Sequence, residues 1–157
     1  MTDHASTKRA IAQWRGGAHA RGFTLIELMV VVAIVAILAS IAFASYEYAV
    51  TKSRRSAAAG CLQERAQFME RFYTTNMSYV SPLGAAPALP QCDAELQPFY
   101  NVTFAVAPTA ATPNAYTLQA APLASQLAND TLCGTLTLTH QGVRGEGGSA
   151  ATADACW

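Results

Sequence analysis

The sequence predicts an α+β fold: a long N-terminal helix, transmembrane at first and amphipathic beyond, packed on a small antiparallel β-sheet. Three observations carry this. Residues 23–44 read FTLIELMVVVAIVAILASIAFA, with Thr24, Glu27 and Ser40 as the polar side chains. Residues 46–75 contain no proline and set Leu62, Ala66, Met69 and Tyr73 at spacings of four, three and four, one stripe of a helix. Past residue 98, short runs alternate apolar and polar side chains, the period of strands with one buried face.

Composition narrows the function classes. The 157 residues are 52% hydrophobic and 13% charged, with a formal net charge of zero. This is too apolar for a disordered chain, and it offers no global basic field for nucleic acid or an anionic membrane. The zero conceals a division. Residues 1–22 carry Lys8, Arg9, Arg15 and Arg21 against Asp3, a net +3, which leaves −3 on residues 23–157. The chain reads as a basic leader (1–22), an apolar helix (23–45) and a mildly acidic globular domain (46–157).

As a helix, the 22 residues from Phe23 to Ala44 rise about 33 Å, enough to cross a hydrocarbon core of about 30 Å. An ordinary secretory signal has an apolar stretch of about 7 to 15 residues with its small cleavage residue after it. Here the run is longer, and the small residue suited to cleavage, Gly22, precedes it. Basic residues flank both ends, since Lys52, Arg54 and Arg55 follow the span, so charge alone does not orient it.

Glu27 is the informative residue of the span. A carboxylate at the centre of a membrane helix costs about 2.5 to 3.5 kcal/mol, so it needs a partner or a place near the headgroups. Cleavage after Gly22 would make Glu27 the fifth residue from a new amine on Phe23. Two readings stay open: Glu27 stabilises the positive end of the helix dipole, or it pairs with the Phe23 amine of a neighbouring copy and sets register.

Beyond the span, the helix is expected to continue over 46–75. Phe68, Met69 and Phe72 fall at helical spacing and read as core rather than as an aromatic ligand box. Lys52, Arg54 and Arg55 read as a solvated juxtamembrane face. Residues 76–98, with Pro82, Gly84, Pro87, Pro90 and Pro98, read as a loop, and 99–157 as the sheet and a disulfide loop. Three strands are expected, with core faces at Val102, Phe104 and Val106, at Tyr116, Leu118 and Ala120, and at Leu136 and Leu138, and a turn over 121–130 between the second and third. Val143 begins a short fourth strand after the turn at Gln141 and Gly142.

Cys61, Cys92, Cys133 and Cys156 form an even set after a membrane segment, which suits disulfides in an oxidising compartment. Of three connectivities, spacing favours the most local, Cys61 with Cys92 and Cys133 with Cys156, each closure contributing about 3 kcal/mol in the chain-entropy model. No C-x-x-C pair is present, and His140 is the lone histidine of the body, so no metal or other cofactor is expected. No nucleophile motif, P-loop or zinc-protease motif occurs, and His140 reads as a solvated side chain, so no enzyme is expected.

The stretch Arg21-Gly22-Phe23-Thr24-Leu25-Ile26-Glu27-Leu28, followed by its apolar run, resembles the processing site of type IV pilins and pseudopilins. The tail resembles minor pilins of the PilE type, in Cys133-Gly134-Thr135-Leu136-Thr137-Leu138, Gly142-Val143-Arg144-Gly145 and Cys156-Trp157. The resemblance implies the pilin fold, cleavage after Gly22 by a prepilin peptidase, N-methylation of Phe23, and Glu27 as the assembly acid. It implies other pilin subunits and an inner-membrane assembly platform as partners. The leader would face the cytoplasm and the body the periplasm, then the extracellular filament. Two positions depart from the family: Ala44 and Ala36 stand where many members have proline and glycine, so local melting of the helix does not follow. The implied function is a filament subunit used in attachment, twitching motility or DNA uptake. The alternatives are a type II secretion pseudopilin, and a tip adhesin or DNA-binding pilin whose Cys133–Cys156 loop makes the contact. The net −3 of residues 23–157 argues mildly against DNA.

Overall fold

The computed structural model describes residues 22–157. The expectations for leader residues before Gly22 lie outside the described residues. The first helix, α1, runs Leu25–Asn76. By internal contacts the chain divides into two compact units, Met1–Ala39 and Ser40–Trp157.

In the first unit the described side chains of α1 are all exposed, among them Leu25, Leu28, Val32, Val35 and Leu38. An apolar face left open along several turns is what a helix built for lipid, or for a bundle of like helices, presents.

The second unit carries the core. Its part of α1 buries Ala58, Ala59, Cys61, Leu62 and Met69 and leaves Gln63, Glu64, Gln67 and Glu70 exposed, as the stripe demands. Helix α1 ends where Met77 takes a left-handed φ of 53°, and Met77 N–H donates to the Tyr73 carbonyl at 2.7 Å. A loop follows to the four strands: β1 (Tyr100–Val106), β2 (Thr117–Pro122), β3 (Leu136–Thr139) and β4 (Arg144–Gly145). They form one sheet in the order β1-β2-β3-β4, and each pair is antiparallel. Such a meander can bury one face and wet the other. Tyr100, Tyr116, Leu118, Ala120, Leu136 and Leu138 enter one cluster with the α1 stripe.

Three readings are corrected. Val106 is not on the core face: the register shifts between Phe104 and Val106, and this bulge leaves Val106 58% exposed. The stretch 121–130 is more than a turn, because it closes β2 and then forms a short helix, α2 (Ala124–Asn129). Arg55 does not belong to a solvated face; it is buried against Asp130.

Candidate functional site

The start of α1 holds the processing motif. Thr24 and Glu27 form a reciprocal cap: the Thr24 N–H and hydroxyl each donate to Glu27 Oε2 at 3.0 Å, and the Glu27 N–H donates to Thr24 Oγ1 at 3.2 Å. The T-x-x-E spacing satisfies orphan amides of the first turn. Glu27 therefore has a local role in this form of the chain while its carboxylate stays exposed. Gly22 and Phe23 precede the helix and are exposed, and a Cβ on Gly22 would meet nothing within 4 Å.

The four cysteines pair as Cys61 with Cys92 and Cys133 with Cys156, with Cα atoms 6.0 and 5.5 Å apart. The first bridge fastens the 77–99 loop to α1, and Arg65 Nη2 reinforces it by donating to the Gln91 carbonyl at 3.1 Å. The second closes the tail. Within that tail Gly147 N–H donates to the Cys133 carbonyl and Ala150 N–H to that of Leu132, at 3.2 and 2.8 Å. Trp157 Nε1 donates to the Gly145 carbonyl at 3.1 Å, and the Arg144 guanidinium lies 5.2 Å from the centre of its ring. The tail thus presents an exposed cation against an aromatic ring on a closed loop.

Two polar clusters hold the body together, and sequence reasoning missed both. Asp130 accepts from Arg55 Nη1 at 2.6 Å, from the Tyr100 hydroxyl at 3.0 Å and from Gln126 Nε2 at 3.2 Å. Glu70 Oε1 accepts from the Tyr79 and Tyr116 hydroxyls at 2.9 and 3.2 Å, while the two rings meet edge to face at 4.7 Å. Burial pushes the Tyr100 and Tyr116 hydroxyls well above the usual phenol range, and the Asp130 and Glu70 carboxylates beside them push the same way. Arg55 and Asp130 stand 75 residues apart, so no local pattern joins them.

His140 lies with its ring 6.1 Å from that of Tyr116, and its backbone N–H donates to the Tyr116 carbonyl at 3.1 Å. Among the described residues no group of three or more His, Cys, Asp or Glu could hold a metal ion.

Residues 17–43 match the prokaryotic N-terminal methylation motif. Residues 44–137 match the family described as type IV minor pilin ComP, DNA uptake sequence receptor. The type IV wide pilus major component PilA4 of Thermus thermophilus is 35% identical over 71 residues, which cover 45% of this chain and 54% of that protein. The chain thus matches about half the length of that curated relative. A type IV pilin from Shewanella oneidensis is 32% identical, over 68% of this chain and 97% of that one, with a TM-score of 0.47. The non-core minor pilin PilV of Neisseria meningitidis is 24% identical, over 66% and 93%, with a TM-score of 0.45. Since the minor pilin model takes in more than half of the sequence, from the end of the apolar run into the third strand, the chain belongs to the type IV minor pilin family.

Proposed function

We propose that this chain is a structural subunit of a type IV pilus, held in the inner membrane with its body in the periplasm and then drawn into the filament. A prepilin peptidase cleaves after Gly22 and the new Phe23 amine is methylated. The helix then moves from lipid into a bundle of like helices, a transfer between two apolar media. Glu27 meets the Phe23 amine of a neighbour, and the cost of an unmatched charge in that setting enforces register. The observation that carries this reading is the methylation motif at residues 17–43 joined to the exposed apolar helix that follows it. Replacing Glu27 with Ala tests it: membrane insertion stays intact and incorporation into filaments is lost. Normal incorporation of that variant would leave Glu27 with the local cap alone.

A second reading is that the body binds DNA during uptake, favoured by the description of the family that matches residues 44–137. The net charge of −3 on residues 23–157 counts against it only weakly, since contact depends on a local patch. Arg144, exposed beside Trp157, offers a phosphate-binding cation on the tail. A gel-shift titration with the full chain in detergent tests this: Arg144→Ala weakens duplex binding, and equal binding by both chains would exclude the tail.

A further inference from the structure

The segment just past the apolar run carries two largely exposed aromatic rings, of which Tyr46 borders a cleft shared with Ser125 and Asn129 of α2. Tyr46 and Tyr48 are 68% and 66% exposed, and Lys52 is exposed one turn past Tyr48 on the same helical face. At 3.6 residues per turn, two positions apart means about 200° around the axis, so the two rings lie on nearly opposite sides of α1. A helix docked on one protein surface has no use for large polar-tipped rings on both sides. A helix passing through a layer that surrounds it does. Tyrosine collects at the headgroup level because its ring is apolar and its hydroxyl needs a partner. Among the described residues Lys52 makes no ion pair, and a step of about 6 Å along the axis carries it from the tyrosine level toward the phosphates.

The body begins with no spacer after this segment. Gln126 Nε2 donates to the Thr51 carbonyl at 3.1 Å and Arg55 is paired with Asp130, so α2 is fastened to the helix immediately past Tyr48. Whatever fixes the depth of the tyrosines therefore fixes the height of the body.

We propose that Tyr46, Tyr48 and Lys52 form a collar that binds the lipid headgroup layer, with the tyrosines at the glycerol-ester level and Lys52 at the phosphates. The collar seats the body directly on the outer surface of the bilayer before assembly. It rests on the membrane-anchored reading above.

The test uses the full chain in vesicles of phosphatidylethanolamine and phosphatidylglycerol in a three-to-one ratio. Tyr48→Trp is made in a chain with Trp14 and Trp157 replaced by Phe. Its emission shifts to the blue, and lipid brominated high on the acyl chain quenches it at least about twofold more than lipid brominated near the chain end. Tyr46→Trp gives the same profile, and Leu83→Trp, in the loop past the far end of α1, is quenched by neither lipid. Adding Lys52→Glu to the Tyr48→Trp chain lowers its shallow quenching. A difference spectrum of Tyr48→Trp with the native tryptophans kept covers any loss of fold through Trp157→Phe. Stronger quenching by the deep bromines, or none by either lipid, overturns the collar. A chain that alkaline carbonate extracts from the vesicles overturns the anchored reading itself, and the collar with it.

Discussion

Arg55 on α1 and Asp130 at the end of α2 are joined by a 2.6 Å hydrogen-bonded ion pair at a site where the two residues retain 7% and 2% of their exposure. Tyr100 and Gln126 fill further acceptor sites of the same carboxylate, so the charge is both paired and solvated by protein. The six-residue α2 has no side-chain cap, and its first residue, Ala124, has a left-handed φ of 45°. This network, rather than intrinsic helix propensity, holds it in place.

Removing one partner of a buried pair leaves an uncompensated charge, at a cost of about 3 to 5 kcal/mol. Asp130→Ala should therefore lower the Tm of the body by more than about 10 °C in thermal unfolding followed by circular dichroism. The double variant Arg55→Met with Asp130→Leu should recover only the part of that loss due to the unpaired guanidinium, because Tyr100 and Gln126 still lose their acceptor. A single-variant loss within about 1 kcal/mol would show the pair to behave like a surface one.

Two glycines should respond in opposite directions. A Cβ on Gly60, inside α1, meets nothing within 4 Å, so Gly60→Ala should raise stability by about 1 kcal/mol. A Cβ on Gly148 runs into the Leu132 carbonyl and comes to 2.7 Å from Cys133 N, all backbone that cannot yield without moving the disulfide loop. Gly148→Ala should cost about 1 to 3 kcal/mol, with more free thiol at Cys133 and Cys156 when the purified chain is assayed with a thiol reagent.

Burial pushes the Tyr79 hydroxyl up to about 12, aided by its hydrogen bond to Glu70 and by the charge of that carboxylate. In the unfolded chain the same phenol titrates near 10. The native state therefore holds its proton more tightly, and the stability this lends is full below pH about 10 and lost as pH rises toward 12. Absorbance titration of phenolate should show Tyr79 ionising late, and Glu70→Ala should bring it down toward the ordinary value.

How much of this was legible depended on how local each signal is. The α1 stripe at Leu62, Ala66, Met69 and Tyr73 needs nothing beyond helical spacing, and the helix forms over it. Alternation at Val102 and Phe104, at Leu118 and Ala120, and at Leu136 and Leu138 gives the strands, because period two follows from the pleat alone. Val106 broke the pattern because a bulge is set by pairing with β2, which the run of side chains does not encode. Arg55 was misread because it sits beside Lys52 and Arg54, and its partner lies 75 residues away. The motif around Glu27 was legible as chemistry, since an acid early in an apolar helix demands an explanation. Its hydrogen bonds to Thr24 follow the capping-box spacing and were open to the same reading.

The claim on which the rest depends is that the apolar helix is released at Phe23 and packed into a fibre. Mass spectrometry of fibres sheared from cells making this protein tests it most directly. The account predicts a peptide that begins at Phe23, carries one added methyl group on its amine and runs through Glu27. Recovery of the chain only outside the fibres, with residues before Phe23 still attached, would contradict it.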